Sequence, residues 1–464
     1  MPFVESRSID YVPLAERHGK VWHLGPIWFT ADAHLATLAT GALAIPLGLS
    51  FAWAVIAIVA GCALGTFFMA FHASQGPELG LPQMIQSRPQ FGYRGALLVW
   101  IVALLTYVGY NALNQLLVGE TMQHLAGIRP LVSFGLFTVL ALGLAVSGYD
   151  GIHKAQRVLA VVMTLALTVF TIGALHVADP ARLADLSHFS ASAFLIQFFA
   201  AAAYQLSWSI YVSDYSRYLP ADVGIRATFW WTFLGAFVGG AWMMAVGALA
   251  ATMFPAVELV AAVRLAGDQI VPGFGPLLLI VSVLAMLSAT SLNFYGASLT
   301  LMSIADSFVK IRRLPRARIV TLLLVAVATT LLATRSSADV RADFEHLLAI
   351  LIYLFTPWTA INLMDFFVVR RGVYSIREIF NPDGIYGRWN WRGLSAYAIG
   401  FVSMIPFFST GFFVGPAARM LGDADVSMLV GLPVSAIAYL WACRSLDLDA
   451  ERRAVIAADA GLEG

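Results

Sequence analysis

The sequence predicts an all-α polytopic membrane protein, and three observations predict it. Only 12% of its 464 residues are charged while 59% are hydrophobic, about half the charge that a soluble domain of this size carries. Apolar stretches of about 20 residues, each long enough to cross about 30 Å of hydrocarbon, recur along nearly the whole chain. Mean hydropathy is +0.78. The net charge of +1 provides no global field for holding nucleic acid. Cys62 and Cys443 lie in apolar segments without metal-ligand or redox spacing and read as small core residues.

Windows of about 19 residues mark twelve spans, at 26–49, 51–72, 96–121, 129–148, 155–177, 191–212, 227–254, 274–304, 318–335, 345–368, 394–415 and 426–443. This divides the chain into a polar segment 1–25, a transmembrane domain 26–443 and a tail 444–464. No apolar core with a small-residue cleavage site precedes the first span, so no cleaved signal is expected. With the N-terminus inside, the outer segments hold only Arg129, Arg182, Arg264, Arg335, Arg341 and Arg419. The other 22 of the 28 Lys and Arg fall inside, the asymmetry expected of a multi-pass protein of the plasma or inner membrane with both termini cytoplasmic.

The first span carries Asp32 and His34 between Gly25-Pro26 and Gly41, Pro46 and Gly48. A carboxylate at such depth costs about 2.5–3.5 kcal/mol on insertion scales and faces a bundle interior or watery cavity, and irregular backbone is tolerated there only beside protein or water. A broken first helix is expected. The alternative for Asp32 and His34 is mutual satisfaction within the bundle. In the third span, Tyr107, Tyr110, Asn111, Asn114 and Gln115 recur at helical spacing along one face. Amides offer paired donors and acceptors to the edge of a planar heterocycle, and phenols offer stacking; interhelical hydrogen bonding is the competing reading. Glu120, near the outer end of this span, reads as solvated.

The sixth span repeats the pattern with Tyr204, Gln205, Trp208 and Tyr211, but it contains no Gly or Pro, so no break is signalled. In the eighth, Ser288, Thr290, Ser291 and Asn293 offer hard oxygen ligands for a small cation, although single hydroxyls in membrane helices more often back-bond to their own carbonyls. Polarity concentrated in spans one, three, six and eight predicts one central site between inverted repeats, about 26–177 and 191–368, followed by two extra helices in about 394–443.

Several further segments, from Gly80-Leu81-Pro82 through Ser87-Arg88-Pro89-Gln90-Phe91-Gly92 to Gly95, Asp214-Tyr215-Ser216-Arg217-Tyr218, Pro357-Trp358 through Asn362, Asp365 and Arg370-Arg371-Gly372 to Tyr374, and Gly384-Ile385-Tyr386-Gly387 to Trp391, resemble the nucleobase–cation symporter family. The resemblance implies a five-plus-five inverted-repeat fold with two additional helices and a flat heterocycle bound midway through the membrane. It places the substrate on Tyr107 and Asn111 of the third helix, Gln205 or Trp208 of the sixth and Asn293 of the eighth. Hydantoin-type members carry tryptophans where Tyr107 and Gln205 stand, which points to a different ligand. The family's sodium site uses adjacent hydroxyls, whereas Ala289 separates Ser288 from Thr290. Asp32 then offers proton coupling or a partner for a donor edge of the substrate, with Ser288, Thr290 and Ser291 as the remaining coupling-ion candidates.

The expected function is cation-coupled import of a cytosine- or purine-like heterocycle by alternating access, with H+ favoured over Na+. Its alternatives are a permease for allantoin, hydantoin or a thiamine-precursor pyrimidine, or a channel or receptor. No nucleophile–base pair, metal set or nucleotide-binding loop suggests an enzyme, a cofactor or a nucleotide-driven pump.

Overall fold

The computed structural model describes residues 10–146, 149–308, 315–336 and 340–460. Arg7, Lys310, Arg312 and Arg313, counted among the inner cations, lie outside the described residues. The described chain is helical almost throughout, as backbone groups in hydrocarbon must be satisfied within their own segment. Among the described residues, eight helices are long and apolar enough to cross a membrane. They include the second span, Phe51–Leu79, the third, Leu97–Ala126, the seventh, Gly224–Met253, and the eighth, Phe274–Asp306.

Two parts of the expected pattern change. The range 394–415 is not helical throughout: its helix, Trp391–Met404, gives way to a short 3-10 turn carrying Pro406, then to a hairpin pairing Ser409–Thr410 with Phe413–Val414. Pro406 has no N–H to continue the ladder, and the Ser409 N–H is instead taken by Asp425 Oδ2 at 3.0 Å. An amphipathic helix, Leu259–Ile270, also lies between the seventh and eighth spans. It is too short and too polar to register as a span.

The first span is broken, as expected. Helix Leu24–Ala31 stops at Asp32, and Leu35–Ala42 begins after His34, whose extended backbone (φ −156°, ψ 167°) forms the N-cap. Both halves lie against the seventh span, where small residues let the backbones meet. A Cβ on Gly239 would stand 2.9 Å from Phe29 Cα, and one on Gly247 would stand 2.8 Å from Leu38 Cα. We expect Gly247→Val to cost about 1–3 kcal/mol by overpacking, read as a lowered melting midpoint of the purified protein; an unchanged midpoint would show that the second half-helix can move aside.

The sixth span is broken as well, without the Gly or Pro that would have announced it. Helix Ala191–Ser207 tightens into a 3-10 turn, Trp208–Ile210, leaves helical geometry at Tyr211 (φ −141°, ψ 12°) and resumes as Val212–Ser216. Side chains make this break. Ser207 Oγ donates back to the Tyr204 carbonyl at 2.7 Å, a contact that bends helices. Beyond the break, Ser216 Oγ donates to the Ala73 carbonyl at 2.6 Å, and Ser213 Oγ lies 2.6 Å from Gln83 Oε1. These hydroxyls pin the short helix to the second span and the loop after it.

Candidate functional site

The two interruptions meet. Asp32, at the C-terminus of the first half-helix, is buried, and its Oδ2 accepts from Gln205 Nε2 of the sixth span at 3.3 Å. Asp32 Oδ1 and Gln205 Oε1 have no protein partner among the described residues. Tyr204 hydroxyl lies 2.6 Å from Thr37 Oγ1 and 3.3 Å from His34 Nε2, so the sixth span also anchors the residue that restarts the first helix. His34 Nδ1 is buried without a partner among the described residues. Trp28 sets its ring edge-on to Trp208 at 6.0 Å and to Tyr215 at 5.2 Å, bracing the two breaks with aromatic packing.

Beside this junction lies a cavity of about 40 Å³, into which His34, Tyr107, Tyr110, Asn114, Trp208 and Asn293 face. A second cavity, of about 80 Å³, adjoins it toward the end of the bundle that carries Arg88, Arg94 and Arg217. Tyr107 and Tyr211 line both, their rings stacked at 5.7 Å and 16°. Stacked phenols and amides around such a space offer a planar nitrogen heterocycle faces to stack on and donors and acceptors for its edge.

Of the residues expected to bind substrate, Tyr107, Trp208 and Asn293 line the central cavity. Asp32 and Gln205 pair immediately beside it but do not line it. Asn111 is fully buried, both its amide atoms lack a partner among the described residues, and it too lies outside the lining. Asn114, one turn further along the same face, reaches the cavity while donating to Thr290 Oγ1 at 2.9 Å. Gln115 bridges Thr138 and Thr330 at 2.6 and 3.1 Å, the interhelical reading. The cation candidates diverge: Thr290 is engaged by Asn114, Ser291 back-bonds to the Leu287 carbonyl at 2.6 Å, and Ser288 Oγ is buried without a partner. Tyr110, Tyr211 and His34 join the lining, and their signal in the sequence is membership of the same polar stripes as the expected residues.

Comparison with known proteins agrees with this architecture. A family model described as permease for cytosine/purines, uracil, thiamine and allantoin matches residues 11–431. A Bacillus subtilis relative bearing a purine-cytosine permease name, YxlA, is 36% identical over 439 residues, covering 94% of this chain and 95% of its own. The purine-cytosine permease fcyB of Emericella nidulans is 25% identical over 459 residues, covering 94% of this chain and 88% of its own. Among solved structures, the inward-facing conformation of Mhp1 superposes with a TM-score of 0.76 at 18% identity, covering 97% of both chains, which establishes a shared transporter fold. A match across nearly the whole chain, a relative above one-third identity and two broken helices meeting at a buried aromatic chamber place this multi-pass membrane protein in the family of permeases for cytosine and purines, uracil, thiamine and allantoin.

Proposed function

We propose that the protein is a secondary active transporter that imports a nucleobase or closely related nitrogen heterocycle, held in the central cavity and coupled to a cation. The observation that carries this reading is the junction of the first- and sixth-span interruptions, where Asp32 and Gln205 pair beside a cavity bearing two amides and several aromatic rings. In this reading Tyr107 and Trp208 supply stacking faces, and Asn114 and Asn293 read the ring edge. Asn111 and Gln205 hold unspent hydrogen-bonding capacity that a ligand or a shift of the helices would satisfy. The matching positions of the two breaks support pairing 26–177 with 191–368 as repeats that move around the shared site. The predicted charge asymmetry puts the basic end in the cytoplasm of a plasma or inner membrane.

Proton coupling through Asp32 is favoured over sodium, because two of the three hydroxyl candidates are already engaged within the protein. A screen of the purified protein against cytosine, uracil, purines, allantoin, hydantoins and hydroxymethylpyrimidine by ligand-induced thermal shift tests the substrate class. Stabilisation by none of them would remove the reading. Accumulation against a gradient in vesicles separates a symporter from a channel. Asn293→Ala is expected to weaken binding of the stabilising heterocycle by about 1–3 kcal/mol, the cost of ligand groups left unpaired; unchanged affinity in a binding titration would take Asn293 out of the site.

A further inference from the structure

The larger of the two cavities is not part of the central one. They share only Tyr107, Tyr211, Leu292 and Asn293, and the stacked tyrosines stand between them. Its own walls repeat the chemistry of a heterocycle site. Trp100, Tyr215 and Tyr295 add aromatic faces from the third, sixth and eighth spans, Asn293 offers its amide, and Thr300 and Ser303 line the eighth-span side. Asp214 is the one charged residue in the described lining, and it is held in place because its Oδ1 accepts the Gln83 backbone N–H at 2.9 Å. The Arg318 guanidinium lies 4.8 Å from the centre of the Tyr295 ring, which fixes that ring at the cavity edge. Room for a single water needs roughly 10–15 Å³, and this space of about 80 Å³ is several times larger.

We propose that this inner cavity is a second heterocycle site, in which the transported ring stacks on Trp100, Tyr215 or Tyr295 and directs an N–H edge to Asp214 after passing the Tyr107–Tyr211 pair. A carboxylate accepts and does not donate, so the site selects rings that present N–H donors, such as the exocyclic amine of aminopyrimidines and aminopurines, over rings presenting only carbonyls. The two tyrosines act as a swinging partition: stacked they close one site from the other, and parted they let a flat ring through. The proposal rests on the nucleobase reading of the central site.

Equilibrium binding of tritiated cytosine and, separately, tritiated adenine to the full-length protein in nanodiscs tests it. The expected result is two molecules of the binding heterocycle per chain. Thr300→Trp, which puts an indole into the inner cavity and alters neither Asp214 nor Gln83, should leave one site with the affinity of the remaining site unchanged. Asp214→Asn should weaken the second site roughly tenfold, as losing one hydrogen bond to a charged acceptor does. One molecule per chain in the unmodified protein, or two in a folded Thr300→Trp variant, overturns the second site and leaves the central one standing. No binding of either probe overturns the amine-selective second site, while the thermal-shift screen decides the nucleobase reading separately.

Discussion

Asp32→Asn is expected to reduce gradient-driven accumulation to background, at least tenfold, while substrate exchange across the membrane persists. The variant keeps the shape of the side chain and an oxygen for Gln205 Nε2, which stands 3.3 Å from Asp32 Oδ2 in the wild-type protein, so the junction of the two broken helices survives. It loses the ability to change charge. No ion pair reaches Asp32 among the described residues, and its second oxygen has no protein partner. A carboxylate in that position interacts differently with a cavity open to one side or the other, and such a differential is the only means by which an ion can bias alternating access. Counterflow and net uptake in vesicles, under an imposed pH gradient and then an imposed sodium gradient, provide the measurement. Wild-type pH dependence in the variant would make Asp32 structural. Uptake that follows sodium and ignores pH in the unmodified protein would return the coupling role to the eighth-span hydroxyls.

The largest stability effect is expected at Asp365, which lines neither cavity. At the basic end of the bundle this buried carboxylate pairs with Arg370, accepts from the Tyr439 hydroxyl at 2.8 Å and the Tyr374 hydroxyl at 2.9 Å, and takes Gln90 Nε2 at 2.7 Å. Arg370 in turn donates to both oxygens of Glu451 at 2.6 and 3.2 Å, tying in the terminal helix Leu448–Asp459. The chain of contacts continues from Gln90 to Asn362 at 3.5 Å and from Asn362 to Gln75 at 2.8 Å, where the second span joins. Asp365→Ala leaves the buried Arg370 with Glu451 as its one carboxylate and deprives two phenols and the Gln90 amide of their acceptor. Breaking a buried pair by removing one partner costs about 3–5 kcal/mol, so we expect a strongly lowered melting midpoint and loss of monodispersity in detergent. Replacing both partners, as Asp365→Leu with Arg370→Met, should recover part of the loss. A single variant that melts like the wild type would show that water or Glu451 alone satisfies Arg370.

The family motifs that the sequence displays acquire a physical role in this network. Gln90 stands in the Ser87–Gly92 loop, Asn362 and Asp365 in the stretch following Trp358, and Trp358 itself donates to Ser87 Oγ at 3.0 Å and stacks on His72 at 4.5 Å. Residues read only as marks of resemblance turn out to fasten five separate segments at one end of the bundle. The expected third-span stripe, by contrast, divides in space: Tyr107 and Asn114 reach the cavity, Asn111 stops short of it, and Gln115 turns to two neighbouring helices. A helical repeat fixes a face to within a turn, but not which residues of that face meet a cavity and which meet a neighbouring helix.

Read alone, the sequence determined that this is a helical membrane protein, that its polarity gathers on four spans and that the first of them, which carries Asp32 among helix breakers, is interrupted. Those features are local: hydrocarbon obliges each segment to satisfy its own backbone, and a buried acid beside helix breakers declares itself within a dozen residues. The tertiary structure decided the break in the sixth span, the pairing of Asp32 with Gln205 and the partition of one expected chamber into two cavities by Tyr107 and Tyr211. Each of these depends on a hydroxyl, amide or ring brought from a segment remote in the chain. Sequence spacing within one helix carries no information about where a distant helix will place its side chains.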